Sequence, residues 1–489
     1  MRTPSTPPSP GRRGRAPARV ALRLASLVAV AASALLAACG VGPRYRRPDV
    51  PPPKAWVEST STEATDWPAG GWWHAFGSAD LDALIDEARR GNDDLGAAIA
   101  RVREADGQLR IAGAPLLPAV GVSAAAIRER APVSGAGIET YNQFSPVATA
   151  SYELDFWGKN RAARAAAKAA ANASRYDRDT VELTVLAGVA SAYFQVLELS
   201  DRIAIAEANF AAAGHVLRGL RLERDAGTAT ALDVAQQETV VATLSAAIPP
   251  LRQQLRQARD GLAILLGRLP ESVAAPNGSL DALTAPAATP GLPSELLARR
   301  PDIAWAEAQL IAANANVAVA RAAFFPSITL TGSDGFVSSA LSTVLDPASR
   351  IWSAAAGLTQ PIFEGGALRG QSEYAKARYA ELLSGYHKAV ISAFGNVEDA
   401  LSAVQQTSVQ LERQQIAVDQ ARRAYAIAEA QMNAGTISVL TLLNTETALF
   451  VARDALAQVK FARLQASLDL YAALGGGWTQ TERSTAGSP

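Results

Sequence analysis

Apolar positions along this chain follow two different periods. Leu81, Leu84, Ile85, Leu95, Ile99 and Val102 recur at helical spacings, and predict a helix from Asp80 to about Ala114 that Pro115 and Pro118 end. The period then falls to two. Val120, Val122 and Ile127 lead into a Gly/Pro loop between Pro132 and Gly137, followed by a run where Ala148, Ala150, Tyr152, Leu154 and Phe156 alternate with Thr149, Ser151, Glu153 and Asp155. A run of that kind is a strand with one apolar and one polar face. No proline occurs from Gly158 to Asp225, and the pattern there is helical, a rod on the order of 100 Å at the α-helical rise. Gly227-Thr228 marks a turn, and a return helix through Leu232, Val240 and Leu244 is expected to break at Pro249-Pro250 before ending at Leu266-Gly267.

The second half repeats this order. Asp225-Ala-Gly-Thr reappears as Asn433-Ala-Gly-Thr, an offset of 208 (433 − 225) that also carries Leu95 to Ile303, Pro118 to Pro326 and Leu266-Gly267 to Leu474-Gly475. A unit this long is a duplicated half-protein rather than a short solenoid repeat. A helix is expected from Ser294 to Phe325, then strands flanking a polar loop, a proline-free helix from Ala367 to Asn433, a turn at Gly435 and a return to Leu474. Leu411, Val418, Tyr425 and Met432 recur every seven residues, and Leu442, Leu449 and Leu456 continue the heptad beyond the turn, the signature of two antiparallel helices in coiled-coil contact. An insertion of about seven residues, one heptad, is expected between the tips and the strand ends of the two halves.

Composition narrows the class. Lys plus Arg and Asp plus Glu stand at 46 each among 489 residues, which gives no electrostatic case for nucleic-acid binding. The single cysteine, Cys39, excludes an internal disulfide and any cysteine-built metal site. It follows a basic start (Arg12, Arg13, Arg15, Arg19, Arg23) and a short apolar run from Leu24 to Ala38, so Leu36-Ala-Ala-Cys39 reads as a lipobox with Cys39 as the lipid attachment site. Gly40 follows the cysteine in place of the aspartate that resemblance to bacterial lipoproteins associates with inner-membrane retention, so that resemblance implies the outer membrane. No later segment reads as a membrane helix, so a bilayer-crossing mature chain has to use strands. The expected organisation is a signal peptide at 1–38 and a lipid-anchored arm at 39–80. A first repeat covers 81–268 (strands about 119–130 and 141–156), with a connector at 269–293. A second repeat covers 294–475 (strands about 327–337 and 351–363), ahead of a tail at 476–489.

Four strands cannot close a barrel, and an open edge in hydrocarbon leaves amides unpaired. The sheet is therefore expected to close with further copies of the same chain: three copies supply twelve strands and four supply sixteen.

Several stretches resemble a known family: Gly71-Trp-Trp-His-Ala-Phe-Gly, Ser151-Tyr-Glu-Leu-Asp-Phe-Trp-Gly, Leu297-Ala-Arg-Arg-Pro-Asp, Ala323-Phe-Phe-Pro-Ser, Gln360-Pro-Ile-Phe-Glu-Gly-Gly and Leu470-Tyr-Ala-Ala-Leu-Gly-Gly-Gly-Trp. The chain is similar to TolC-like outer-membrane efflux factors of the NodT-type lipoprotein branch. The resemblance implies a homotrimer with a twelve-stranded β-barrel on a twelve-helix periplasmic α-barrel. It also implies a periplasmic adaptor protein and an inner-membrane RND transporter as partners, outer-membrane lipid around the barrel, no cofactor, no metal and no catalytic residues. It places the constriction at the two helix-turn-helix tips, where Asp233 stands in the first repeat and Thr441 and Asn444 in the second. The best-known members carry acids at the positions of Thr441 and Asn444, so a second anionic ring is not expected here. Gly227, Thr228, Gly435 and Thr436 form the tip turns and, by resemblance, meet the adaptor; each Gly-Thr suits a tight turn with a capping hydroxyl.

Other classes compete. His74, His215 and His387 lie far apart, and no nucleophile elbow or P-loop accompanies the glycine clusters, which leaves an enzyme without a motif. A lipid-anchored coiled-coil scaffold would have no use for the strand pairs. An outer-membrane duct for a type I peptide or protein secretion system would share the same pore architecture.

Overall fold

The computed structural model describes residues 41–57, 67–133, 137–272, 278–286 and 291–480; Cys39 and the expected leader at 1–38 lie outside the described residues. In chain order the elements are α1 (Ala79–Gly91), α2 (Asp93–Gly113), β1 (Ala119–Val133), β2 (Gly137–Leu154), α3 (Lys159–Asp225), α4 (Ala231–Leu265), α5 (Pro301–Ala322), β3 (Ser327–Phe336), β4 (Arg350–Thr359), α6 (Ala367–Asn433) and α7 (Val439–Ala473), with single turns at Trp72–Phe76 and Pro293–Leu296. Two compact units result. Gln108–Lys168 and Ile311–Tyr379 belong to the strand unit; Arg47–Gly107, Ala169–Leu310 and the chain from Ala380 onward form the helical unit.

The internal repeat is closer than its sequence suggests. α3 and α6 are 67 residues each, α4 and α7 are 35 each, and both pairs start 208 apart, as do β1 and β3. The expected seven-residue insertion is therefore absent. The halves differ instead in their hairpin connections, which lie between Val133 and Gly137 in the first and between Phe336 and Arg350 in the second.

Four antiparallel strands in the order β1-β2-β3-β4 make one meander sheet. β1 and β2 reach further into their hairpin than 130 and 141, because Ala131↔Glu139 through Val133↔Gly137 keep pairing. β4 ends at Thr359 rather than at 363. Pro361 has no N–H, and beyond Thr359 no strand lies alongside in the described chain.

The helical expectations need three corrections. The first helix divides at Asn92, which caps both pieces: its N–H donates to Ala88 O and its Oδ1 accepts from Leu95 N–H. The helix expected from Ser294 to Phe325 is a single turn followed by α5, since Pro301 cannot donate into a continuing ladder. Conversely, α4 runs unbroken through Pro249 and Pro250, held on either side by buried Ile248 and Leu251.

The helical unit's core gathers Trp72, Trp73 and Phe76 against Val185, Val189, Phe194 and Leu197 of α3, Leu262 of α4 and Leu468 of α7. Phe76 and Phe194 rings lie 5.0 Å apart. Among the described residues α3 alone holds an apolar stretch of membrane-spanning length and composition. Its Val185, Leu186, Val189, Ala190 and Phe194 are spent in this core. The Trp-rich arm is tied to the same unit: Arg47 forks onto Glu307, and Trp56 donates its indole N–H to Gly291 O at 2.7 Å. Of the heptad positions, Val418, Leu442 and Leu449 are buried.

Each repeat locks the end of its return helix by the same joint. Gly267 and Gly475, 208 apart, both take positive φ (70° and 89°), and a Cβ on either would collide with a backbone carbonyl oxygen, that of Gly91 or of Arg299, themselves 208 apart. A side chain beside each glycine seals the joint: Asn92 Nδ2 donates to Leu265 O at 2.8 Å, and Arg300 Nη1 to Ala473 O at 2.9 Å. Gly475→Ala and Gly267→Ala are expected to destabilise the protein by roughly 1–3 kcal/mol each. Gly219→Ala, mid-helix with open space around its α-carbon, should be neutral or slightly stabilising. Thermal melts in detergent followed by circular dichroism compare them, and equal melts for all three would remove the joint from the stability account.

Candidate functional site

Two features carry chemistry that internal packing does not explain: a sheet with both faces bare, and the two helix-turn-helix ends.

The register sorts the sheet's side chains into a mainly apolar face and a mainly polar one, with Asp334 and Arg350 on the first and Ile127, Val147 and Ile351 on the second. One face carries Leu154, Ile328 and Leu358, then Tyr152, Leu330 and Ala356, then Val120 and Ala150, then Val122, Ala148 and Trp352, with Asp334 between the last two. The opposite face carries Thr329, Glu153 and Gly357, then Ser151, Thr331 and Ala355, then Thr149, Ser333 and Ser353, with Ser333 and Ser353 hydroxyls 2.8 Å apart. Val120, Val122, Leu358 and Trp352 are each at least two-thirds exposed, so no other described element covers this part of the apolar face. At the end nearest the helices Trp157 stacks on Phe325 at 4.7 Å, packs edge-on against Phe156, and donates to Pro326 O at 2.8 Å. At the other end Arg350 holds Asp334 through two 3.0 Å bonds. An apolar strand face ending in an aromatic cluster is the wall of a membrane barrel, and its hydroxyl-lined back is a surface for water.

In the helical unit both tips end their first helix in the same way. Gly227 and Gly435, with φ of 80° and 69°, allow the chain to reverse. Gly227 N–H donates to Arg224 O and Thr228 N–H to Glu223 O; Gly435 and Thr436 do the same to Met432 O and Gln431 O. This is the Schellman closure. The Thr228 and Thr436 hydroxyls donate to those same Glu223 and Gln431 carbonyls, at 2.9 and 3.0 Å. They therefore cap the helix before the turn rather than the one after it.

The helices that follow start differently. Thr230 and Asp233 form a reciprocal capping box: Thr230 Oγ1 accepts from Asp233 N–H at 3.2 Å, and Asp233 Oδ2 accepts from Thr230 N–H at 2.8 Å and from its hydroxyl at 2.7 Å. The hydroxyl and amide of Thr230 hold the Asp233 carboxyl below its usual range. In the second repeat Ser438 and Thr441 occupy these places without a side-chain cap; a 3.3 Å hydroxyl contact and a 3.1 Å bond from Thr441 N–H to Ser438 O join them. Thr441 is exposed, and so is Asn444, which lies in an open groove with Gln414, Thr447, Ala448 and Val451. The two hairpins meet through Leu217, Leu220, Val234, Val439 and Leu443, flanked by Met432.

Two turns above the tips lies a group the sequence reading passed over. Glu446 and Gln237 are both fully buried. Gln237 Nε2 donates to Ala213 O at 2.8 Å and reaches Glu446 Oε2 at 3.4 Å, while Gln237 Oε1 and Glu446 Oε1 find no partner. The repeat explains the oddity. Glu446 corresponds to Glu238, an exposed acid that pairs with Arg221 at 2.7 Å, but the position matching Arg221 is Glu429. Glu446 has exchanged a cation for a second acid. Burial first, and then the Glu429 charge, push its carboxyl above the usual range, against the pull of the Gln237 amide. Tyr425 on α6 is pushed up to about 12 by burial, then by Glu429 and Glu446, with Arg453 opposing. The substitution was legible in the 208-residue alignment of the halves; burial was not.

No group of three His, Cys, Asp or Glu side chains among the described residues is placed to hold a metal ion, and His74 is engaged by Asp82 at 2.7 Å.

Because the folded chain keeps the Glu446 proton where the unfolded chain has released it, this residue costs nothing at low pH. It lowers stability progressively as pH rises above the ordinary glutamate value through the raised folded one. Glu446→Gln keeps the shape and supplies a donor to the orphaned Gln237 oxygen. Its melting temperature should match the parent near pH 4 and exceed it at pH 8, giving a shallower pH profile. Parallel profiles would show that Glu446 ionisation does not burden the tip.

Comparison with known proteins gives the same picture. Residues 84–268 and 292–476 both match the family model described as outer membrane efflux protein. The pyoverdine export outer membrane protein OpmQ of Pseudomonas aeruginosa is 42% identical over 94% of this chain and 98% of its own. The probable efflux pump outer membrane protein TtgC of Pseudomonas putida is 32% identical over 93% of this chain and 96% of its own. The solved outer-membrane channel OprN superposes with a TM-score of 0.85 at 29% identity, covering 90% of this chain and all of that one. A bare-faced amphipathic sheet, two capped helical tips and two matched repeats thus have one common source: this chain belongs to the outer membrane efflux protein family and is an outer-membrane component of an efflux system.

Proposed function

We propose that the protein is the passive exit duct of a three-part efflux pump. Three copies close a twelve-stranded barrel, and their paired helices line a periplasmic conduit. An inner-membrane RND transporter supplies the energy, and a periplasmic adaptor joins it to this duct. The observation that carries the reading is the sheet: one apolar and one hydroxyl face, both uncovered, between two unpaired edges. Cys39 is the lipid attachment point, reinforcing membrane residence by acyl chains beside the strands.

In this reading Asp233, Thr441 and Asn444 narrow the periplasmic entrance, and the turns at Gly227, Thr228, Gly435 and Thr436 meet the adaptor. Three copies of Asp233 form the anionic ring, and the second-repeat tip adds a neutral one. Holding Asp233 in its capping box keeps it ionised and fixed in direction. The 42% identity to the pyoverdine export protein OpmQ makes pyoverdine one substrate to test, beside the toluene and cations in other relatives' names.

Deletion of the gene is expected to raise sensitivity to at least one member of a panel of antibiotics, dyes, detergents and metals, or to trap pyoverdine that the parent strain secretes. An unchanged panel with unchanged secretion would remove the efflux role under those conditions. At the tip, Asp233→Ala should raise open-state conductance in planar bilayers. Parental conductance in that variant would take Asp233 out of the constriction.

A further inference from the structure

Charge is sorted by face at the far end of the first hairpin. β1 there reads Ile127-Arg-Glu-Arg130, and the period of two sends both arginines to the mainly apolar face and Glu129 to the other. Glu139 of β2 lies on the polar face as well, where Tyr141 donates its hydroxyl to Glu129 at 3.2 Å. Arg128 stands opposite Asn142 and Arg130 opposite Thr140, so two cations and two neutral donors share one patch without an acid. All four are exposed, and among the described residues no acid pairs with either arginine. The second hairpin differs on this point. Moving Arg128↔Asn142 by 208 gives Phe336↔Arg350, and Arg350 is held by Asp334. The position 208 before Asp334 is Ala126, so the first hairpin lacks the acid that neutralises the second.

Height decides what these cations can meet. Leu154 lies at the helix-joined end of β2, two residues before the aromatic cluster begins at Phe156. On the same face Phe144 stands ten residues up the strand (154 − 144) and Asn142 twelve (154 − 142). At a rise of about 3.3 Å and a tilt of about 40°, ten residues climb about 25 Å, the height of a barrel's apolar band. Phe144, one step inside Asn142, and Trp352, one step inside Arg350, thus suit the outer aromatic girdle. Arg128 and Arg130 stand just beyond it. An arginine on a lipid-facing strand is costly at mid-bilayer and costs little at this level. The leaflet on that side of an outer membrane is built of phosphorylated glycolipid.

We propose that Arg128 and Arg130, with Asn142 and Thr140, bind the phosphorylated headgroup of an outer-leaflet glycolipid whose acyl chains lie on the wall below. Alternate residues of a strand stand about 7 Å apart, so two guanidinium groups can share one phosphate or hold two. Each is planar, permanently charged and shaped for two-point contact with phosphate oxygens. Ala126 and Phe144 continue the same face beneath the cations, then Ala124 and Pro146, a smooth apolar wall for acyl chains. The occupant is a lipid because the patch is open: nothing encloses a small anion there, while a lipid is held by headgroup and chains together. The inference rests on the proposed reading that the mainly apolar face meets lipid, and adds to it a ligand class, a leaflet and the residues that hold it.

Bisphosphorylated lipid A, titrated into the full-length protein in detergent micelles and counted by native mass spectrometry, tests this. Arg128→Gln/Arg130→Gln should bind it at least about tenfold more weakly than the parent. Arg128→Lys/Arg130→Lys should fall between, since it keeps the charge and loses the two-point fit. Glu129→Gln/Glu139→Gln, on the opposite face, should match the parent. Lipid A stripped of its phosphates should bind the parent and the Gln pair alike. Equal affinity of parent and Gln pair for the bisphosphorylated lipid overturns the site. Displacement of that lipid by millimolar inorganic phosphate overturns it in favour of a free anion. A Gln pair that loses the parent's mass in detergent assigns the arginines to assembly and overturns it as well. The underlying reading is tested separately by a spin label at Ala124→Cys in liposomes, where acylated Cys39 contributes no thiol. Greater accessibility to oxygen than to a soluble nickel chelate places this face in lipid; the reverse overturns that reading whatever the arginines bind.

Discussion

Backbone amides and carbonyls in hydrocarbon have no water to turn to, and this requirement shapes the strand unit more than any side chain does. Within one chain the four strands satisfy each other at three seams and leave β1 and β4 bare along their outer edges. The two faces already have opposite characters, so lipid can lie on one and water on the other. What is missing is closure. Everything else in the strand unit, including the early end of β4 at Thr359 and the extreme exposure of Ile362 and Phe363, follows from edges that one chain cannot pair.

Duplication supplies the material for that closure and also records where function has drifted. Helices α3 and α6 agree in length to the residue, the Schellman turns agree bond for bond, and the Gly267 and Gly475 joints share one clash geometry. Against so exact a background the departures stand out. A capping box at Thr230 and Asp233 becomes a loose hydroxyl pair at Ser438 and Thr441. An ion pair of Arg221 with Glu238 becomes Glu429 near a buried, partly unpartnered Glu446. Both changes sit at or just above the tips, and both loosen the second hairpin relative to the first. A helical rod needs no such asymmetry for its own stability.

The geometry of the tip turns was readable before any coordinates. Asp233, Thr441 and Asn444 were named from the family resemblance, whereas both tip glycines carry the positive φ that the turn demanded. Alternation in β2 named its apolar face correctly, from Ala148 to Leu154. The failures share a cause. Asn92 splits a helix because its side chain has a remote carbonyl, Leu265 O, to bind. Pro249 and Pro250 fail to split one because buried Ile248 and Leu251 hold the chain across them. In each case a distant contact outweighed a local preference.

Sequence alone determined the duplication, the alternation of strand and helix periods, the turn residues and the polarity of β2, because these depend on neighbours a few positions away; Ile127, grouped with Val120 and Val122, lies on the opposite face of β1. Tertiary structure decided the rest: that the offset of 208 holds through every matched strand and helix, that the tip hydroxyls cap the helix behind them, and that Glu446 loses its water while Glu238 keeps an arginine. Burial is a property of what surrounds a residue in space. No reading along the chain could distinguish two glutamates that the alignment had already declared equivalent.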